Sequence, residues 1–426
     1  MIFILAGLGR RTELFLGLDL ERPVTKKDQN YFSVASSEIA RDINRRVVLN
    51  LIRKHQPVSR AALARLSGLQ RSTVSAITEQ LIQGRWVAEG ARGHLPRGRK
   101  PTLLHLNSER AGILGVDLRP GRTSFALAGI DTRFLELESM LTAGEPEQFL
   151  DSLGQRLRRL MDAHPNLTYE AVGVSLPGRI DASTQRLIFA PNLGWSDVDL
   201  ITPLNRATGL PVFLENAANA CALAEFWEGR YAAGARNLIA ITVSEGIGAG
   251  LIMNGQLLHG ASGMAGEFGH VTIDKRGPLC RCGNRGCWEV WASNSAACRF
   301  YSQTQSASAG NPGAEIPGDT IRFTDLLRLI QQKDPKAEEA IDRMARYLGV
   351  GLAMLVNGLS PQAIVVVGEV TRVWDRVGPI VAETVKARSF TPSPVRILPT
   401  DPAEQPRLRG TIALVLQKYF GTPAMD

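Results

Sequence analysis

Three cysteines fall within eight residues, Cys280, Cys282 and Cys287, and His270 precedes them by ten. Thiolate sulfur and imidazole nitrogen are donors that a tetrahedral zinc ion prefers, and one His with three Cys fills its four positions. Gly283 and Gly286 permit tight bends between the thiols. A set closed in this way leaves no place for a reacting water, so His270, Cys280, Cys282 and Cys287 are expected to hold a structural Zn2+. Such crowding suits a metal better than a disulfide framework. Cys221 and Cys298 have no such neighbours and read as small core residues.

A second concentration is one of charge. The 426 residues carry a net +8, yet residues 37–106 alone hold 13 Lys/Arg against 4 Asp/Glu, and the other 356 carry 36 against 37. A basic module on a neutral body is the footprint of nucleic-acid binding, although charge alone would also suit an acidic membrane. Patterning favours DNA. Ile43, Val47 and Leu51 share one helix face, and Pro57 stops that helix. Ser59 caps a second helix that ends at Ser67-Gly68, and a third starts near Gln70 with Val74, Ile77 and Leu81 on one face and Gly84 at its close. Two extended pieces follow, 85–89 and 102–106. A helix–turn–helix followed by two strands is the pattern of a winged helix. The loop Arg97-Gly98-Arg99-Lys100-Pro101 between the strands is thin enough for Arg97 and Arg99 to enter a narrow minor groove.

Residues 1–36 show no sustained periodicity and read as a loosely ordered tail. From Gly112 onward the chain turns to strands, 113–118, 124–130 and 134–140, then a helix over 147–163 and a buried strand over 171–176. A second series, 238–243, 249–253 and 363–367, repeats the plan. Two such series imply an α/β body of two lobes with a cleft between them. The Ser/Gly/Pro-rich stretch 303–320 reads as a loop. No apolar run approaches the ~20 residues of a membrane span. The apolar first nine residues lack a basic flank and a cleavage site, so a cytoplasmic protein without a membrane partner is expected.

Several of these segments carry a resemblance. Ser59-Arg60-Ala61-Ala62-Leu63-Ala64, Ser67-Gly68-Leu69 and Ser72-Thr73-Val74-Ser75 resemble the repressors of the ROK family (repressor, open reading frame, kinase). Gly266-Glu267-Phe268-Gly269-His270, Cys280-Arg281-Cys282 and Cys282-Gly283-Asn284-Arg285-Gly286-Cys287-Trp288-Glu289 match that family's metal motif. The resemblance spans about residues 37–420. It implies a winged helix–turn–helix over 37–106, then an actin-like, sugar kinase-like body. Its first lobe would cover 107–232, rejoined by a terminal helix over 405–426, and its second 233–404. The recognition helix would present Gln70, Arg71, Ser72, Thr73 and Ser75 to the major groove of a double-stranded operator. The family has Ser where this chain has Gln70 and Glu where it has Ala62, which removes half a capping box.

The resemblance also implies a sugar site of Asn216, Glu267, His270 and Glu289, with Arg179 and Asn192 on adjoining loops. Carboxylates accept bonds from hydroxyls, and a metal-tethered imidazole presents its remaining N–H as a fixed donor. The kinase pattern, however, fails. Where the family has Asn-Asp-Ala-Asn, this chain has Asn216-Ala217-Ala218-Asn219, and a methyl group cannot take a proton from the sugar hydroxyl. Asp117-Leu118-Arg119-Pro120 lacks the Gly-Gly-Thr of the first phosphate loop, Glu245 replaces a phosphate-contacting Thr, and Gly368-Glu369 replaces a Gly pair. The expected protein is therefore a sugar-responsive transcriptional repressor without enzyme activity, acting as a homodimer or homotetramer on DNA. Its effector would be a sugar or a sugar phosphate, with Arg179 available to a phosphate. The rivals are a bifunctional kinase with a DNA-binding domain, and a DNA-binding regulator whose relic pocket serves only protein contacts.

Overall fold

The computed structural model describes residues 37–92, 101–108, 111–181, 184–229, 231, 234–308, 321–390 and 395–421. The expected tail, 1–36, and the loop with Arg97 and Arg99 lie outside them.

Helix α1 (Ser37–His55) buries Val48, Leu49 and Ile52. In α2 (Arg60–Ser67) the Ser59 hydroxyl accepts the Ala62 N–H, and the helix ends at Gly68 with φ 71°. The recognition helix α3 (Arg71–Gln83) buries Val74, Ile77, Thr78 and Leu81; its cap residue, Gln70, makes no side-chain capping bond. Behind it lies a three-stranded sheet of β1 (Val58–Ser59), β3 (Thr102–Leu106) and β2 (Val87–Arg92), in that order. Two details differ from the sequence reading. β1 has only two residues, too few to display alternation. β2 starts at Val87 because Arg85, at φ 58°, and Trp86, bonded to Leu81 O, still belong to the turn that closes α3.

The body repeats one topology. β4 (Ala111–Asp117), β5 (Gly121–Gly129) and β6 (Phe134–Thr142) form a meander, and α4 (Pro146–Ala163) leads to β7 (Thr168–Leu176), parallel to β4. A small antiparallel sheet follows: β8 (Arg179–Ile180), β9 (Leu187–Ala190) and β10 (Trp195–Val198). After α5 (Ile201–Thr208) comes β11 (Val212–Asn216), giving the order β11-β7-β4-β5-β6, and α6 (Ala217–Glu228) leaves its end. The second lobe has β12 (Leu238–Val243), β13 (Ile247–Met253) and β14 (Gln256–Leu257), then a 3-10 turn at Glu267–His270. Four helices follow: α7 (Glu289–Ala292), α8 (Asn294–Ser308), α9 (Phe323–Gln331) and α10 (Pro335–Leu359). β15 (Ala363–Val367), α11 (Trp374–Arg388) and β16 (Arg396–Pro399) complete the order β14-β13-β12-β15-β16. β12 and β15 are buried along their whole length, which explains their unbroken apolar runs. Finally α12 (Pro406–Phe420) returns to pack on α6, β4 and β7.

The expected loop over 303–320 needs correction, since α8 continues to Ser308. Its hydroxyls do not oppose the helix: Ser302 and Thr304 donate back to the carbonyls of Cys298 and Phe300. The remainder of that stretch, 309–320, lies outside the described residues. One apolar core runs without interruption from Leu49, Leu81 and Trp86 of the winged helix to Leu223 and Trp227 of α6 and Leu416 and Phe420 of α12.

Candidate functional site

His270 closes the 3-10 turn, and the cysteines lie on the loop that returns to it. Trp288 N–H to Val271 O (2.9 Å) and Ile273 N–H to Gly286 O (2.9 Å) bind loop to turn. The Trp288 ring is fully buried and donates from Nε1 to Tyr347 O on α10. It fits only because residue 351 is Gly: a Cβ there would stand 1.9 Å from the indole. The ligand atoms of His270, Cys280, Cys282 and Cys287 all lie within 4.8 Å of one another. Cys282 and Cys287 sulfurs are 3.6 Å apart, as are Cys280 Sγ and His270 Nδ1. Zn–S bonds of about 2.3 Å in a tetrahedron require S–S edges of about 3.8 Å, close to the Cys282–Cys287 separation, so the donor set suits such an ion. Burial pushes the Cys280 and Cys287 thiols up. At Cys282 burial is outweighed by bonds from the Asn284 N–H and the neighbouring thiols, and its pKa is lowered.

The imidazole is shared between metal donors and carboxylates. With Nδ1 toward Cys280, His270 Nε2 faces Glu267 at 3.7 Å, while Glu289 Oε1 lies 3.6 Å from Nδ1. Glu267, His270 and Glu289 thus form one cluster. Asn216 ends β11 and caps α6, accepting from Ala218 N–H (2.8 Å) and donating to Gly178 O (3.1 Å). α6 lies across β13 so closely that a Cβ on Gly250 would meet Ala218 O at 2.2 Å. The 3-10 turn packs on the same strand, so β13 connects the Asn216 side to the Glu267–His270 side. Arg179 is exposed on β8.

Two of the bonds between the lobes join residues that sequence reasoning did not pair, and of the four only Asn192 had been given a role. His259 Nε2 meets Glu215 Oε2 at 2.9 Å, and Glu215 also accepts from Asn216 N–H and Asn219 Nδ2. The bond to Glu215 raises the His259 pKa, partly offset by burial. Arg281 Nη1 donates to Asn192 Oδ1 at 2.8 Å. Its position between two metal ligands, Cys280 and Cys282, was the available signal.

The phosphate side of the cleft differs. Asp117, fully buried, is paired with Arg119 Nε at 2.5 Å and lies 3.5 Å from Ser175 Oγ. The guanidinium thus engages one oxygen of the Asp117 carboxylate. Ala217 is buried in the first turn of α6. In the winged helix, Arg71, Ser72 and Ser75 are exposed on α3 and Thr73 is half-buried, opposite the face that packs.

A basic winged helix joined to two lobes of the sugar-kinase type, with a three-cysteine turn beside the cleft, defines the class. The family model "ROK family" matches residues 113–418, and the chain belongs to that family. The "Xylose repressor" of Bacillus spizizenii is 31% identical over 392 residues, which is 91% of this chain and 98% of that protein. The Bacillus subtilis protein of the same name is 33% identical over 78% and 83%. Among solved structures, a ROK family transcriptional regulator described as a homolog of the E. coli MLC protein aligns with a TM-score of 0.74 and 25% identity, covering 90% of this chain and 98% of its own. A ROK family glucokinase from Streptomyces griseus, solved with glucose and AMPPNP, aligns at 0.62 and 29%, covering 72% and 100%.

Proposed function

We propose that this protein is a sugar-responsive DNA-binding repressor of carbohydrate genes, without kinase activity, and that xylose is the first effector to test. The observation that carries this reading is the coexistence of the Glu267–His270–Glu289 cluster with an exposed recognition helix and an Asp117 paired with Arg119. The names of the similar repressors support xylose.

Asn216, Glu267, His270 and Glu289 would hold sugar hydroxyls, with Asn192 and Arg179 at the margin. A Zn2+ on His270, Cys280, Cys282 and Cys287 would supply structural cohesion and fix which imidazole nitrogen carries the proton. Gln70, Arg71, Ser72, Thr73 and Ser75 would read the major groove, and Arg97 and Arg99 the minor groove. Two copies related by symmetry would place two recognition helices on a palindromic operator. Sugar bound between the lobes favours one arrangement of them, and its differential affinity sets how far operator binding changes. Calorimetry with xylose, alongside operator binding with and without it, tests the reading. Absence of xylose binding refutes the effector, and ATP-dependent phosphorylation of the sugar refutes the non-enzyme.

A further inference from the structure

Helix α1 presents Arg46, Asn50 and Arg53 at a spacing of four and then three residues, hence on one face. All three end on carbonyls of the body. Arg46 Nη1 donates to Gly421 O at 2.6 Å and Asn50 Nδ2 to Phe420 O at 2.5 Å, at the C-terminus of α12. Arg53 Nη1 donates to Trp227 O at 2.6 Å, and its guanidinium lies 4.2 Å from the centre of the Trp227 ring, at the C-terminus of α6. The last carbonyls of a helix lack partners within it and form the negative end of its dipole. The DNA-reading module thus caps two helices of the sugar-binding body.

Arg53 is a costly choice for cohesion alone. Burial, only partly countered by Glu228, pushes its pKa down to about 10, so it stays charged near neutral pH, and its Nε is buried with no hydrogen-bond partner among the described residues. Leu or Met would fill similar space without that desolvation. Of the two helices the module caps, α6 begins near the cleft. α6 starts at its Asn216 cap and spans twelve residues, about 18 Å. Arg409, in the first turn of α12, binds Glu228 at 3.1 Å, so the start of α12 is held to the end of α6.

We propose that Arg53, assisted by Asn50, is the positioning residue that couples the cleft to the recognition helix, through the C-terminal ends of α6 and α12. The proposal rests on the sugar-responsive reading above. Sugar engaging Asn216 fixes the start of α6. A stiff helix transmits a shift of its start to the Trp227 carbonyl and ring at its other end, where Arg53 carries the shift into α1 and so to α3.

The test uses the full-length protein, xylose, and an operator duplex recovered from random-sequence DNA by the wild type. Arg53→Met keeps the aliphatic reach and loses the guanidinium; Asn50→Ala removes the shorter bond. Each single-ligand affinity should stay within about threefold of wild type, while the ratio of operator affinities without and with xylose, ~5–150-fold for typically coupled sites, falls toward 1 in Arg53→Met and part of the way in Asn50→Ala. Arg53→Lys should restore part of the ratio. A wild-type ratio in both variants overturns the proposal, as does a loss of operator affinity that is equal with and without sugar, which would make Arg53 an anchor only. If the wild type does not bind xylose, the effector reading fails separately, and amide exchange decides the link. Operator binding should alter protection of residues 217–228 in the wild type and not in Arg53→Met; unaltered protection in the wild type overturns it.

Discussion

On one side of the cleft, Glu267 and Glu289 each stand within 3.7 Å of His270, supported by a turn, a cysteine loop and a buried Trp288. On the other side Arg119 closes onto Asp117, and α6 begins with a methyl group at Ala217. Asp117 and Ala217 on the second side are both buried. The difference lies in what each task demands. Recognising hydroxyls needs only fixed donors and acceptors, whereas phosphoryl transfer needs a base, a metal site and a phosphate cradle at once. Replacing any one of these ends turnover and leaves recognition in place.

The largest effect should come from the metal. Cys282→Ser, or chelation of the wild type, should unfold or loosen the second lobe, because zinc bound to finger peptides contributes ~10–16 kcal/mol at neutral pH. Thermal unfolding with elemental analysis checks this, and an unchanged melting temperature after complete metal removal would break the account of the sugar side. Glu267→Ala should weaken sugar binding by ~10–150-fold, equivalent to a charge-assisted hydrogen bond of ~1.5–3 kcal/mol, with operator affinity in the absence of sugar unchanged. Calorimetry reads the first and a DNA titration the second. Arg71→Ala should cost ~1–3 kcal/mol at one or two base pairs only, measured against a panel of operator variants.

A smaller effect is expected from pH. Glu215 holds the His259 pKa above its ordinary value, so the stabilisation is complete below ~6.5 and is lost as pH rises through the raised folded value. With His259 half-exposed, screening keeps the contribution small. The difference in stability between wild type and His259→Gln should therefore shrink as the solution becomes alkaline; a difference independent of pH would remove the charge from the explanation. The smallest expected change is none. Ala217→Asp restores a base but leaves Arg119 on Asp117 and Glu245 in the second loop, so a coupled assay should detect no sugar phosphorylation, and turnover would dissolve the contrast between the two sides.

The His270–cysteine cluster and the winged helix were largely legible because their residues are close in sequence. Cys280, Cys282 and Cys287 with His270 predict a cluster of metal-type donors, and Val74, Ile77 and Leu81 a helix face. The bonds between lobes were not legible. Glu215 and His259 are 44 residues apart, Asn192 and Arg281 are 89, and no local pattern joins either pair. β1 was missed because two residues carry no periodicity, and the end of α8 because its hydroxyls fold back onto helix carbonyls. Arg53 was simply one basic residue among many, since burial against a helix 174 residues away decides its role.

The edge-to-face contacts of Phe420 with Trp86 and Trp227, at 6.0 and 5.5 Å, have a consequence for the newborn chain. The winged helix is synthesised early, but the aromatic ring that completes its seam with the body is added over three hundred residues later. At translation rates of ~5–20 residues per second, that delay is on the order of tens of seconds. Throughout that interval the emerging module would expose Trp86 and the Arg53 face of α1 without their partners. A truncated or stalled chain would then carry a DNA-reading helix on an unfinished mount.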